Sequence, residues 1–319
     1  MPQPQSARAG ASRAEAHRPL RGALLCLVSL LLFACMDATT KHLAARYEVP
    51  LIVAVRYLVH VLLMVALVAP THGRKLVETQ RTGLVLVRAA CLAAASLLVA
   101  FALQRMPVAE TTAINFLAPM LVVLIAGPLL GERIGALGWA AAVGGLAGVM
   151  LVVRPGSGLD AAGIAFALGA VGANAAYQLL SRILAGTERT LALLFYAALV
   201  GAIGFSVALV WIEEGRAPAT LDLVLFLVLG VAGGLGHFLF TAAYRYAAAS
   251  TLAPLTYFQL VWAGLLGWSV FGHVPDRISL LGMAVIAGSG LLIALKPHRA
   301  PASSSVPAAR PVREASSAA

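Results

Sequence analysis

Apolar runs of about twenty residues, cut by short polar breaks, fill the chain from roughly residue 22 to 296. Ten can be marked: roughly 22–41, 50–70, 83–104, 108–130, 134–153, 159–181, 190–212, 221–244, 250–271 and 277–296. The breaks include Glu48-Val49-Pro50, Thr71 to Thr82, Arg105-Met106-Pro107, Gly131-Glu132-Arg133, Arg154 to Gly158, Glu213 to Thr220 and His273 to Asp276. A bilayer core about 30 Å thick takes about 20 residues of helix, and a helix pairs its own backbone groups in lipid. The pattern predicts an all-α integral membrane protein with ten transmembrane helices. Several connections are very short, so neighbouring helices should be antiparallel.

The pattern also repeats. Arg105, Ala109, Thr111, Ala113 and Gly127 return as Arg245, Ala249, Thr251, Ala253 and Gly267, about 140 positions later. Gly131, Gly148 and Pro155 return as Gly272, Gly290 and Pro297 with a small drift, and Lys41 matches Arg182. Each copy holds five spans. Five is odd, so the second copy should insert upside down. Two inverted five-helix repeats are the construction plan of many secondary carriers. The expected organisation is a tail over 1–20, a first repeat over 21–156, a second over 157–297, and a disordered tail over 298–319 rich in Ala, Ser and Pro.

Composition agrees with lipid as the main solvent. The chain is 61% hydrophobic and 11% charged, against about 25% charged in a soluble domain. Its net charge of +10 sits largely in the tails, at Arg8, Arg13, Arg18 and Arg21, and at Lys296, Arg299, Arg310 and Arg313. No basic stripe carries interleaved aromatics, which excludes nucleic acid as a partner. With both termini placed inside, inner segments hold about fifteen Lys and Arg and outer ones about six, as the positive-inside rule requires. The excess of Arg over Lys, with abundant Ala and Gly, points to a GC-rich bacterial source, so the membrane expected is a bacterial inner membrane. Glycine clusters such as Gly230, Gly233, Gly234 and Gly236 read as close helix packing.

Candidate chemistry is sparse. There is no nucleophile elbow, phosphate loop or metal-spaced His pair, so no enzyme, cofactor or metal is expected. Cys26, Cys35 and Cys91 all fall in apolar stretches. Charges inside a bilayer are costly and usually face a cavity or a partner. Asp37 and Arg56 lie at similar depth on successive helices, so either they form an ion pair, structural or lining a cavity, or Arg56 snorkels outward. Arg88 should snorkel to the headgroups. Glu110 follows Pro107 in a first helical turn, where it either favours the helix dipole or binds substrate or a proton.

Nearer midmembrane lie Asn115 and Pro119, then Asn174, Tyr177 and Gln178, His237, Pro254, Tyr257, Gln259 and Trp262. Asn174 and Gln178 share one helix face. Tyr257 and Trp262 either pack or stack on a flat ligand. His237 is a packing residue or a proton carrier. The substrate-binding set is thus Asp37, Arg56, Asn115, Asn174, Gln178, Tyr257, Gln259 and Trp262. The proton-coupling candidates are Asp37, Glu110 and His237. Asp37 and Gln178 are repeat equivalents and are both polar, so both are expected to reach one water-accessible cavity.

Several of these stretches resemble the EamA branch of the drug/metabolite transporter superfamily. They are Met36-Asp37-Ala38 with Lys41, Arg56-Tyr57, Asn115 to Pro119 leading into Gly131-Glu132-Arg133, Gly236-His237-Phe238, and Tyr257 to Trp262. The resemblance covers about residues 20 to 297 and implies a ten-helix carrier of small organic metabolites. Tyr257 to Trp268 and the early Met-Asp-Ala are most similar to the subgroup with bacterial riboflavin importers. One departure stands out: Gly131-Glu132 in the first copy becomes Gly272-His273 in the second. The partners expected are a small-molecule substrate and the lipid bilayer. A homodimer stays open, since the duplication already completes the fold. The rival classes are a membrane enzyme or lipid-handling protein, and a passive channel.

Overall fold

The structure, a computed structural model, describes residues 19–130, 135–209, 218–247 and 249–294. The tails, the Gly131-Glu132-Arg133 break and most of the break after Glu213 lie outside the described residues. Thirteen α-helices run in order among them: α1 (Pro19–Ala44), α2 (Val49–Leu63), α3 (Ala69–His72), α4 (Thr82–Arg105), α5 (Val108–Asn115), α6 (Leu117–Leu130), α7 (Ala136–Val152), α8 (Ala161–Leu184), α9 (Thr190–Ala208), α10 (Thr220–Ala243), α11 (Ala249–Leu255), α12 (Phe258–Phe271) and α13 (Arg277–Ala294). No strand occurs among the described residues. Among the described residues, seven helical segments are long and apolar enough to cross a membrane, and two further apolar helices are shorter. The protein is therefore an all-helical, multi-pass membrane protein.

Three predicted spans are interrupted. The second leaves α2 through a π-helical turn at Met64–Val68, just before Pro70 in α3. Proline has no N–H to return to the preceding turn, so the helix rewinds locally. The fourth divides at Phe116 into α5 and α6, ahead of Pro119. The ninth divides at Thr256-Tyr257, just after Pro254, into α11 and α12. The two latter breaks fall at repeat-equivalent positions. Across them the rings of Phe116 and Tyr257 stack, with centroids 4.9 Å apart.

Helix packing follows side-chain size. On α7 the large residues Trp139, Val143, Leu146 and Met150 are exposed along one face. The other face buries Gly145, Gly148, Val149 and Val152. Hydrophobic groups outside and small ones inside are what lipid solvent favours. Gly148 meets α13 so closely that an added Cβ would lie 2.7 Å from the Gly282 carbonyl oxygen. The reverse substitution at Gly282 would put a Cβ 2.6 Å from the Gly148 oxygen.

Contacts between the first and second parts of the chain come in matched sets. α1 packs on α10, and α4 packs on α8. α12 meets α1, and α6 meets α8; α2 lies against α9, and α7 against α13. Exchanging each helix for its counterpart about 140 residues away maps this pairing onto itself. One end of the bundle carries Lys41, Pro107 and Asp276; the opposite end carries the Gln80–Glu188 contact. α1 runs toward the Asp276 end, whereas α8 starts there, at Asp160 beside Arg105.

Candidate functional site

A cavity of about 550 Å³ opens at the Asp276 end. Its lining includes Lys41 from α1, Arg105 to Val108 and Glu110 from the α4–α5 corner, Ser157 to Leu159, and Gly267, Phe271, His273 and Asp276. His273 is placed by the stop signal of α12. Gly272 adopts the left-handed conformation at φ 66°, its N–H returns to Trp268, and the His273 N–H returns to Gly267. Glycine alone takes that conformation without strain, and the next residue is thereby turned back over the helix end. His273 Nε2 then lies 2.8 Å from Glu110 Oε1.

Glu110 is 3% exposed, and its other oxygen, Oε2, has no hydrogen-bond partner. Lys41 spends its ammonium elsewhere, donating to the carbonyl oxygens of Leu103 at 3.0 Å and Met106 at 2.8 Å, the last turn of α4 and its cap. The rim cations are also engaged. Arg105 faces Asp160 at 3.7 Å, and Arg154 holds Asp276 at 2.8 Å. Asp276 also caps α13, accepting from the backbone N–H of Ile278 and Ser279. The Ser279 N–H, then the Arg154 guanidinium, hold its carboxyl down at about 2, below the ordinary 3.8. Farther along the same end, Arg46 and Tyr47 both bind the buried Asp222 of α10, at 3.1 and 2.8 Å.

A second polar group lies deeper. Asp37 of α1 is part-buried, and α1 packs against α12, the helix that carries Gln259. The expected Asp37–Arg56 ion pair does not form. Arg56 Nη1 instead lies 3.8 Å from Met36 Sδ, and its guanidinium sits 4.8 Å from the Tyr57 ring centroid. Equal depth fixes a level in the bilayer but not which way two long side chains turn. Next to Arg56, His60 and His237 stack with centroids 6.1 Å apart, and His237 also meets the Phe33 ring. Gly233 and Gly234 on α10 make the room: a Cβ on Gly234 would stand 3.1 Å from the His60 ring.

The other candidates are distributed around this group. Asn115 donates to the Thr111 carbonyl at 3.0 Å, inside the α5 turn before the break. Tyr257 is taken up by its stack on Phe116 and lies tight against Gly290. Trp262 keeps a buried Nε1 with no partner. Asn174 and Gln178 are part-buried on α8, and no hydrogen bond joins them to Asp37 among the described residues.

Arg88 corrects the snorkelling expectation. It is 5% exposed and donates to Ser181 Oγ, the Leu193 carbonyl and Tyr177 Oη, bridging α4 to α8 and α9. At the opposite end, Glu188 accepts from the backbone N–H groups of Gln80 and Arg81. The sequence pattern named neither Glu188 nor His60. The Gly272-His273 departure was the one sign of the Glu110 contact.

Each repeat holds a broken helix, the breaks meet through equivalent aromatic residues, and polar groups gather beside them. The EamA-like transporter family matches this chain twice, over residues 20–154 and 161–295. The chain belongs to the EamA-like transporter family. The two EamA matches divide the molecule between Arg154 and Ala161, so the lining of the cavity comes from both.

Relatives carry several cargoes. The S-adenosylmethionine uptake transporter of Rickettsia bellii is 24% identical over 270 residues, covering 84% of this chain and 91% of that protein. The pseudopaline exporter of Pseudomonas aeruginosa is 28% identical over 272 residues, with 83% and 93% covered. The riboflavin transporter of Rhizobium johnstonii is 31% identical over 195 residues, with 60% and 63% covered. A solved crystal structure of a protein 19% identical superposes with a TM-score of 0.63 over 85% of this chain and 96% of that one, which fixes the fold alone. Transporter relatives across the whole membrane body make this chain a transporter of small metabolites.

Proposed function

We propose that the chain is a secondary carrier of a small organic metabolite in a bacterial inner membrane, working by alternating access between two inverted five-helix repeats. The carrying observation is Asp37, a part-buried carboxyl on α1, which packs against α12, the half of a broken helix that carries Gln259. Carriers of this architecture bind cargo near the midplane, where interrupted helices expose polar backbone to a cavity. The ten-helix count is supported by α5 with α6 and α11 with α12 each acting as one interrupted span. The inversion is supported by α1 and its counterpart α8 running in opposite directions, and by the self-matching helix pairs.

Asp37, Arg56 and Gln259 form the polar part of the substrate site. Asn115, Tyr257 and Trp262 surround the interruptions, and Asn174 and Gln178 supply the counterpart face on α8. Glu110 and His237 join Asp37 as proton-coupling candidates. The relatives include both uptake proteins and an exporter, so direction is not inherited with the fold. The riboflavin-type reading rests on the Rhizobium relative.

The test is transport of metabolites that raise the thermal stability of purified protein, measured in proteoliposomes. Asp37→Asn and Gln178→Ala should each reduce uptake while expression and unfolding temperature stay near the parent. Full transport by both variants would place the site elsewhere.

Both termini are assigned to the cytoplasm from the Lys and Arg asymmetry. A reporter fused after Gly215 should read as external, and one at the C-terminus as cytoplasmic. A cytoplasmic signal after Gly215 would break the inverted ten-span scheme.

A further inference from the structure

Among the described residues, four buried side-chain atoms have no hydrogen-bond partner: His42 Nε2, Glu110 Oε2, Ser206 Oγ and Trp262 Nε1. Only Glu110 lines the cavity at the Asp276 end. An ionised carboxylate accepts and cannot donate, so the missing partner must carry an N–H or O–H. None of the protein's own cations there donates to Oε2. His273 serves Oε1, Lys41 gives two of its three N–H bonds to carbonyls, Arg105 faces Asp160, and Arg154 holds Asp276. A donor from outside the chain would satisfy the oxygen that these leave unpaired. A charged donor gives a shorter bond, roughly twice as strong as a neutral one. The cavity has the size of a small-ligand pocket, and Met106, Leu159, Phe271 and Val274 give it apolar walls.

We propose that this outer cavity is a binding site for the primary ammonium group of a small organic cation, held by Glu110 Oε2 between the two repeats. The site is separate from the Asp37 group and does not rest on Glu110 acting in proton coupling. Its ligand needs a cationic nitrogen with free N–H bonds and a short apolar body to lie against Phe271 and Val274. His273 keeps the carboxylate turned toward the cavity by occupying its other oxygen.

The experiment uses the full chain carrying Val274→Cys, with the parent as blank for Cys26, Cys35 and Cys91. Its labelling rate is compared for 2-aminoethyl methanethiosulfonate and the neutral methyl reagent, each normalised to a free thiol in solution. Focusing by the carboxylate should favour the ammonium reagent by about tenfold. Adding Glu110→Gln should abolish the preference, while Glu188→Gln, at the opposite end of the bundle, should leave it. Propylammonium chloride should slow labelling by the neutral reagent, whereas sodium chloride at equal ionic strength should not. This last arm needs no change at Glu110 and so survives misfolding of that variant. An equal preference in Glu110→Gln, or no protection by propylammonium, overturns the proposal.

Discussion

Arg88 offers a measurable coupling between the two parts of the chain. Its Nη2 donates to Tyr177 Oη at 3.0 Å, and its guanidinium lies 4.5 Å from the centre of the same ring. Side-chain hydrogen bonds between membrane helices average about 0.6 kcal/mol and reach about 1.7. A guanidinium over an aromatic face adds about 0.5–2 kcal/mol, the larger values when desolvated. The Arg88–Tyr177 interaction is therefore worth about 1–2 kcal/mol. Arg88→Met alone is a poor gauge of it. That change also loses the bonds to Ser181 and Leu193, and it relieves a buried charge that has no ion-pair partner among the described residues. Removing such a charge offsets much of what its bonds contribute. A double-mutant cycle of Arg88→Met with Tyr177→Leu cancels these terms. Reversible unfolding of the four proteins in mixed micelles should give a coupling of about 1–2 kcal/mol. Additivity within about 0.3 kcal/mol would mean the contact contributes nothing, and the bridging role of Arg88 would fall.

The α7–α13 contact should be equally specific. Gly148→Ala and Gly282→Ala each force a methyl against opposing backbone, at a cost of about 1–3 kcal/mol by the same unfolding measurement, whereas Gly172→Ala, with open space at its Cβ, should cost nothing. Asp276 carries a pH signature. Its carboxyl is held at about 2, below its unfolded value, so its stabilisation is complete above about pH 4 and is lost as pH falls through about 2. Asp276→Asn should lower stability at neutral pH and flatten the acid limb of the unfolding curve. An unchanged acid limb would reject the capping and Arg154 contacts.

Apolar length and the recurrence of Arg, Thr and Gly positions made the membrane body and its duplication readable in the sequence. Pro119 and Pro254 stood out within continuous spans, but neither the division of those helices nor the meeting of Phe116 and Tyr257 was legible. That contact depends on how two distant segments cross. Depth counting placed Asp37 and Arg56 at one level and failed on their pairing, because it carries no information about rotation around each helix. It failed on Arg88 for a related reason. Tyr177, Ser181 and the Leu193 carbonyl come from α8 and α9, so the polar pocket that keeps Arg88 from the headgroups has no local trace. Glu110 and His273 lie 163 residues apart. Only the substitution of His where the other copy has Glu marked the place.

Four polar bridges span the Asp276 end: Arg46 and Tyr47 with Asp222, Arg105 with Asp160, Arg154 with Asp276, and His273 with Glu110. Except for Asp222 and Glu110, these charges stand partly or well in solvent, where an ion pair is worth at most about 1 kcal/mol. Two of the four, Arg105–Asp160 and Arg154–Asp276, are thus weak clasps in a row, undone singly, each comparable to thermal energy. Such a row has no single breaking point, and its tension varies with the surrounding electrolyte. The screening length falls from about 10 Å at 0.1 M salt to about 3 Å at 1 M. Ionic strength on that side of the membrane becomes a dial on how often the face parts, with no change to the machinery beneath it.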